Sequence, residues 1–442
     1  MEITKTLQDF FKGKSVAIVG FGREGKATLS VLRHDTDCGE IAVLDQNFVD
    51  EKECEGCTLY CGENYLNFMG DYDIIVKSPG IALLDKVDNG IKEKITSQTD
   101  LLLRFCNHKI IGVTGTKGKS TVSSLVSHIL SRCGKNPVLI GNIGIPPLSG
   151  YIDWNNNWRP DTVIVCEMSC HQLEFVKASP DTSVLLNIYE EHLDHYVNFN
   201  AYKTAKENIF RYQGANDLLI VNKELQQENA YSLPCRQITV SMEKEADIYI
   251  DGKDIVFQGK RITYEKLSPK LEGRHNLYNI AAALAAAVEN GCELEAAVEA
   301  VTDFKGLCHR MEHVRTVNGV KYINDSISTI PNATISAVRT FDADTVIIGG
   351  MDRGINYDIL IDFLNGGSVT NVICLPDSGY RIADMLKTKS NVFKAKDMEE
   401  AVKKAADVSR RCCVLSPAAA SYGFYKNFEE RGDHFKALVN KL

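Results

Sequence analysis

Short apolar runs rich in β-branched residues recur along the chain, each followed by a glycine-bearing or polar turn and then a stretch of helical periodicity. Such runs read as buried strands, and their alternation with helices predicts a parallel sheet wound with helices. Three blocks of this kind follow one another. In the first, residues 1–107, the strands are Ser15–Gly20, Ile41–Leu44 and Asp73–Lys77. In the second, 108–314, they include Ile110–Val113, Thr162–Cys166 and Ser183–Ile188. In the third, 315–442, they are Val320–Ile323, Thr345–Ile348, Val372–Leu375 and Cys412–Leu415. The expectation is an α/β protein of three domains, with N-terminal and C-terminal Rossmann-like units flanking a central parallel sheet of the P-loop ATPase type. The longest apolar stretch, Ile280–Val288, is far short of a membrane span and reads as part of an amphipathic helix.

The turn after Ile110–Val113 carries the most chemistry. It reads T-G-T-K-G-K-S-T, from Thr114 to Thr121, and leads into a helix pattern at Val122, Leu125, Val126, Ile129 and Leu130. Glycines free backbone N–H groups to face phosphate oxygens, and the helix N-terminus adds its positive end. Gly115, Thr116, Lys117, Gly118, Lys119, Ser120 and Thr121 are therefore expected to hold ATP. In that arrangement Lys119 reaches the terminal phosphates and Ser120 takes a place on Mg²⁺. The usual G-x-x-x-x-G-K-[ST] pattern has glycine where this chain has Val113. Glu167, delivered by the strand Thr162–Cys166, is the obvious second oxygen ligand; a capping or salt-bridging glutamate is the plainer alternative.

A weaker signal sits upstream. Gly20, Gly22 and Gly25 form G-x-G-x-x-G between a strand and a helix, and Asp45 follows about twenty residues on. This spacing admits a phosphate-bearing ligand without naming it, NAD(P) included. Ser78, Pro79 and Gly80 make a tight turn at the carboxyl edge of the same sheet, where ligands bind.

Composition narrows the class. The 442 residues, 44% hydrophobic and 24% charged, suit a globular protein of several domains. A net charge of −8 disfavours nucleic acid as a partner. The N-terminus has no apolar signal core, so a cytoplasmic location away from membranes is expected. Fourteen cysteines are scattered through the chain and read as reduced thiols.

The motifs taken in order resemble the Mur ligase family of peptidoglycan-precursor synthesis. The resemblance covers the whole chain. It rests on Thr114–Thr121, G-N-I-G (Gly141–Gly144), E-M-S-C-H-Q-L-E (Glu167–Glu174), E-H-L-D-H-Y (Glu191–Tyr196) and Y-K-T-A-K (Tyr202–Lys206). It continues through G-R-H-N-L-Y-N (Gly273–Asn279), H-R-M-E (His309–Glu312), N-D-S (Asn324–Ser326), L-S-P-A-A-A-S (Leu415–Ser421) and K-N-F-E-E-R-G (Lys426–Gly432).

The resemblance implies an ATP-dependent ligase that adds glutamate to UDP-N-acetylmuramoyl-L-alanine through an acyl phosphate. Lys119, His192 and Lys206 match catalytic positions. Ser120 and Glu167 would hold one Mg²⁺, and His192 with a carbamoylated Lys206 a second. Asn276, Asn279, Arg310 and Asp325 match positions on ATP. Gly20, Gly22, Gly25, Asp45, Ser78, Pro79, Gly80 and Asn142 would face the UDP substrate. Thr329, Arg353, Ser421, Tyr422 and Phe428 would meet glutamate. A monomer is expected. Without the resemblance, Lys206 would read as a surface lysine on a helix.

Two positions depart from the family. Ile327 stands where N-D-S-K-A-T-N has lysine, and Arg353 stands where G-G-x-x-K ends in lysine. Arginine keeps the charge and changes its geometry. D-glutamate remains the expected substrate. The alternatives are the L-enantiomer, a folylpolyglutamate-synthetase-like ligase, and an NAD(P)-binding protein built on Gly20–Gly25.

Overall fold

The computed structural model describes residues 6–83, 87–142, 145–150, 158–191, 195–229, 231–243, 246–263, 271, 274–304, 306–352 and 354–442. Twenty strands among these form three sheets. The chain divides into two compact units, Met1–Lys305 and Gly306–Leu442, the first holding two sheets and the second one.

The first sheet contains β1 (Val16–Val19), β2 (Ile41–Asp45), β3 (Thr58–Cys61), β4 (Ile74–Lys77) and β5 (Ile95–Thr96), in the order β3-β2-β1-β4-β5. Every pairing is parallel. β1 is buried along its whole length, as its unbroken V-A-I-V run requires of a strand covered on both faces. The helix Arg23–Asp35 follows it.

The second sheet contains β6 (Lys109–Thr114), β7 (Asn136–Gly141), β8 (Thr162–Glu167), β9 (Thr182–Leu185), β10 (Leu218–Asn222), β11 (Arg236–Ser241), β12 (Ile248–Asp251), β13 (Asp254–Phe257) and β14 (Lys260–Ile262). Their order is β14-β13-β12-β11-β10-β9-β6-β8-β7. β6 lies between β8 and β9, so Val113 pairs with Glu167 and Thr114 with Leu185. The phosphate loop and Glu167 therefore leave the same edge of the sheet. β12, β13 and β14 pair antiparallel, an extension that the strand–helix alternation did not announce.

The helix Arg274–Glu289 corrects an expectation. It is buried continuously from Leu277 to Ala287 and is not amphipathic. Its six alanines between Ala281 and Ala287 carry no side chain beyond Cβ, which lets it lie close to the helix Lys119–Arg132 within one apolar core.

The second unit holds β15 (Glu312–Val317), β16 (Val320–Asn324), β17 (Thr345–Gly350), β18 (Asn371–Asp377), β19 (Asn391–Lys394) and β20 (Cys412–Leu415), in the order β15-β16-β20-β17-β18-β19. Only β15 runs antiparallel to its neighbour. An α/β fold with parallel-rich sheets is thus what the sequence pattern implied. Among the described residues no helix is long and apolar enough to cross a membrane. Cys54 and Cys57 form a Cys-x-x-Cys turn, Cys57 N–H donating to the Cys54 carbonyl at 3.0 Å, and burial raises both thiols.

Candidate active site

The loop after β6 has the backbone that its glycines allow. Gly118 caps the helix Lys119–Arg132 with φ +89°, in the left-handed region, and Gly115 has φ +158°. A Cβ on Gly118 would sit 2.5 Å from Asn279 Oδ1, so this glycine also permits the Arg274–Glu289 helix to approach. Asn279 Nδ2 donates to Asn276 Oδ1 at 3.1 Å. The two candidate nucleotide asparagines and the loop thus form one wall.

Two ammonium groups converge on a single carbonyl. Lys119 Nζ donates to the Gly115 oxygen at 2.8 Å and Lys206 Nζ to the same oxygen at 2.9 Å. Lys206 comes from the helix Phe199–Arg211 and is 1% exposed. Burial, with Lys119 beside it, pulls its pKa down to about 8. Ser120 is buried at the first turn. Thr116 ties the loop to its surroundings: its hydroxyl lies 2.8 Å from Tyr202 Oη and accepts from Tyr189 N–H at 2.9 Å. Lys117 points outward into an ion pair with Glu191 at 2.8 Å.

Glu167 is fully buried. Its Oε1 accepts from Asn142 Nδ2 at 2.7 Å, while Oε2 is buried with no hydrogen-bond partner. A buried carboxylate oxygen lacking a donor is costly unless something positive completes it. A hard divalent cation suits that oxygen, and the Ser120 hydroxyl and the phosphate oxygens of a bound nucleotide are ligands of the same hard type. Mg²⁺ therefore fits this donor set. His192 and Arg353 lie outside the described residues.

A cavity of about 440 Å³ opens beside the loop, lined by Lys117, Gly118, Asn187, Tyr189, Asn222, Met242, His275 and Asn279 among others. Sequence reasoning had not singled out Asn187, Asn222 or Met242, which reach the cavity from three different strand ends. Asn187 Oδ1 accepts from Lys117 N–H at 2.8 Å, bracing the loop.

In the first sheet the candidate substrate residues meet at one turn. Gly20 has φ +89°, and a Cβ on Gly25 would sit 2.2 Å from the Gly20 carbonyl. Ser78 Oγ donates to that carbonyl at 2.7 Å. Asp45 Oδ2 accepts from Phe21 N–H at 2.7 Å, bracing the glycine turn, and its Oδ1 accepts from Asn47 N–H at 2.8 Å in its own loop. Gly22 has open space around it, and Pro79 and Gly80 follow in the turn after β4.

In the second unit Asp325 is buried, accepting from Ser416 Oγ at 2.7 Å and Met311 N–H at 3.1 Å, and burial raises its pKa. Arg310 is exposed there. Ser421 is buried, Thr329 and Phe428 are half-buried, and Tyr422 is exposed. Arg431, missed in the sequence, holds this region together. Its guanidinium donates to Ser326 Oγ (3.0 Å), Ser326 O (2.8 Å), Ala419 O (3.1 Å) and Ala420 O (3.2 Å). Burial without a carboxylate partner lowers its pKa to about 10. The R of K-N-F-E-E-R-G was its only signal.

Residues 113–287 match the model of the Mur ligase middle domain. The chain is 34% identical to a UDP-N-acetylmuramoylalanine–D-glutamate ligase of Clostridium kluyveri, with 98% of each chain covered. It is 32% identical to the protein of the same name in Clostridium botulinum, again over 98% of each. Among solved structures it superposes on the UDP-N-acetylmuramate–alanine ligase MurC of Thermotoga maritima with TM-score 0.55, at 20% identity over 97% of this chain and 99% of that one. The MurF ligase of Thermotoga maritima in complex with ADP gives TM-score 0.53, at 16% identity over 97% and 96%. The phosphate loop, the buried lysine beside it and full-length likeness to these ligases agree, and the chain belongs to the Mur ligase family.

Proposed function

We propose that the protein is an ATP-dependent ligase joining D-glutamate to UDP-N-acetylmuramoyl-L-alanine. One observation carries the reading at the level of chemistry: Lys119 and Lys206 converge on the Gly115 carbonyl at the mouth of a phosphate loop. The Lys119 ammonium at that point suits a reaction in which negative charge gathers on a transferring phosphoryl group, and Lys206 beside it, its pKa lowered to about 8 by burial, suits conversion to a carbamate. Full-length likeness to ligases of the named activity supports the choice of substrates.

In the proposed sequence the alanyl carboxylate attacks the γ-phosphorus of ATP, giving an acyl phosphate and ADP. The glutamate amine then adds to the acyl carbon, and phosphate leaves as the amide forms. Lys119 neutralises charge on the phosphoryl oxygens, and the backbone N–H groups at the start of the helix Lys119–Arg132 hold them in place. Mg²⁺ held by Ser120 and Glu167 supplies charge neutralisation of the nucleotide. His192 and a carbamoylated Lys206 are assigned to a second ion, the carbamate turning a cation into an oxygen ligand. Asn276 and Asn279, with Arg310 and Asp325, are assigned to ATP. Residues 1–107 are assigned to the UDP substrate through Gly20, Gly22, Gly25, Asp45, Ser78, Pro79 and Gly80, with Asn142 reaching it from the central domain. Residues 108–314 are assigned to ATP, and 315–442 to glutamate through Thr329, Arg353, Ser421, Tyr422 and Phe428. The enzyme is proposed to act as a cytoplasmic monomer.

The test is phosphate release with UDP-N-acetylmuramoyl-L-alanine, ATP, Mg²⁺ and each glutamate enantiomer, repeated on Lys119→Ala. D-glutamate should support turnover that the variant loses. Turnover with L-glutamate alone would overturn the stereochemical assignment, and amide formation without ATP consumption would overturn the mechanism.

A further inference from the structure

Beyond the phosphate loop, a group of ionisable side chains lies buried or half-buried where the first and second sheets meet within the first unit. Lys77, at the end of β4 and 3% exposed, has its Nζ 3.1 Å from Glu174 Oε2. His195 Nε2 lies 3.4 Å from that same oxygen. Glu24, in the first turn of the helix Arg23–Asp35, accepts at Oε1 from Gln172 Nε2 at 3.4 Å. The Gln172 amide has one orientation, because its carbonyl accepts from Ser169 N–H at 3.0 Å. Its NH₂ therefore faces Glu24, which meets it as an acceptor.

Lys77 faces both carboxylates, and Arg23 adds a second positive charge toward Glu24. Where burial of a carboxylate outweighs such neighbouring cations, the protonated form is favoured. Glu24 also stands at the end of the Gly20–Gly25 turn, where the helix N-terminus attracts anions. A diphosphate arriving there meets a carboxylate already in place, and two like charges in close reach cannot both stay ionised.

We propose that Glu24 takes up a proton as the UDP-linked acceptor binds, so that the pocket offers the diphosphate a neutral carboxylic acid that can donate a hydrogen bond. This rests on the assignment of Gly20–Gly25 to the UDP substrate. The groups facing Glu24 are Gln172, Arg23 on its own helix, Lys77 from β4 and Cys166 from β8, with Glu174 behind Lys77. Burial keeps the Cys166 thiol protonated. Gln172, Arg23 and Lys77 favour the carboxylate, but burial outweighs them and lifts Glu24 to about 7.

The sign follows. Below that value the acid is already protonated and binding takes up nothing. Above it each binding event draws a proton from solvent, so KM for the acceptor rises with pH, by about tenfold between pH ~6 and ~8. The ligand's diphosphate and carboxylate are ionised throughout this window.

Titration calorimetry of the full chain with UDP-N-acetylmuramoyl-L-alanine near pH ~7.5, in two buffers of different ionisation enthalpy, counts the protons; about 0.7 is expected. Glu24→Gln should bind with uptake near zero and flatten the KM profile, while His195→Gln should keep the wild-type count. Binding by the wild type without uptake, or equal uptake by Glu24→Gln, overturns the proton step while leaving the acceptor assignment intact. A wild type that does not bind the ligand at all overturns that assignment and this inference with it. Should Glu24→Gln fail to fold, a flat wild-type KM profile alone refutes the proposal.

Discussion

Replacing Lys206 by methionine should make the metal-free, nucleotide-free enzyme more stable near neutral pH while destroying its activity. Burial holds Lys206 at about 8, against about 10.4 for an ordinary lysine. At ~1.36 kcal/mol per unit, the difference is a penalty of about 3 kcal/mol for keeping the charge inside the fold. The folded value is the lower one, so the unfolded chain binds the proton more tightly. The penalty is full below about pH 8 and fades as pH rises toward ~10.4. Methionine keeps most of the volume and removes the charge. Two favourable contacts go with it: the bond to the Gly115 carbonyl and the ammonium 4.9 Å above the Tyr202 ring. Lys119 still donates to that carbonyl, so no acceptor is orphaned. Together these losses come to about 1–2 kcal/mol. The variant should gain about 1–2 kcal/mol near pH ~7 and nothing, or a small loss, near pH ~10. Urea unfolding at both values, followed by hydrogen exchange in the helix Phe199–Arg211, reads the difference. A variant less stable than wild type at neutral pH, or a difference independent of pH, refutes the reasoning. The low value also leaves roughly a tenth of Lys206 as free amine near neutrality, against under ~0.1% for an exposed lysine. A ¹³C carbamate resonance should therefore appear with labelled bicarbonate and vanish in the methionine variant.

Gly118→Ala forces a left-handed residue and drives a methyl into Asn279 Oδ1, so KM for ATP should rise by roughly tenfold or more in steady-state assays. Gly25→Ala places Cβ 2.2 Å from the Gly20 carbonyl and should abolish acceptor binding in calorimetry. Arg431→Lys keeps a charge but loses the fork that ties Ser326 to Ala419 and Ala420, and should lower the melting temperature of the second unit and raise KM for glutamate.

What could be read from the chain was local. The turn Thr114–Thr121 declares its purpose because glycine, lysine and hydroxyl lie within eight residues, and Glu167 follows from the apolar run before it. Lys206 could not be placed from its neighbours, since only the winding of the second sheet brings its helix onto Gly115. The antiparallel strands β12–β14 interrupt the strand–helix rhythm with short hairpins that this rhythm does not announce. The apolar stretch Ile280–Val288 implies one amphipathic face, yet the helix Arg274–Glu289 is buried continuously from Leu277 to Ala287. Asp45 sits at the spacing of a ribose-binding acid, but its oxygens are engaged by backbone N–H groups, one from the glycine turn and one from its own loop. The hydrogen-bond partner of Glu24, Gln172, lies 148 residues further along the chain, and no local pattern carries that contact.

The alanine run has a consequence for how nucleotide preference can change. Since Asn279 touches the space that Gly118 leaves empty, the wall that would read the base and the loop that would grip the phosphates are a single rigid piece. A larger side chain at an alanine facing the helix Lys119–Arg132 would part them together. Selection for a different purine would therefore have to disturb triphosphate affinity at the same stroke, which ties the enzyme's choice of fuel to its ability to burn it.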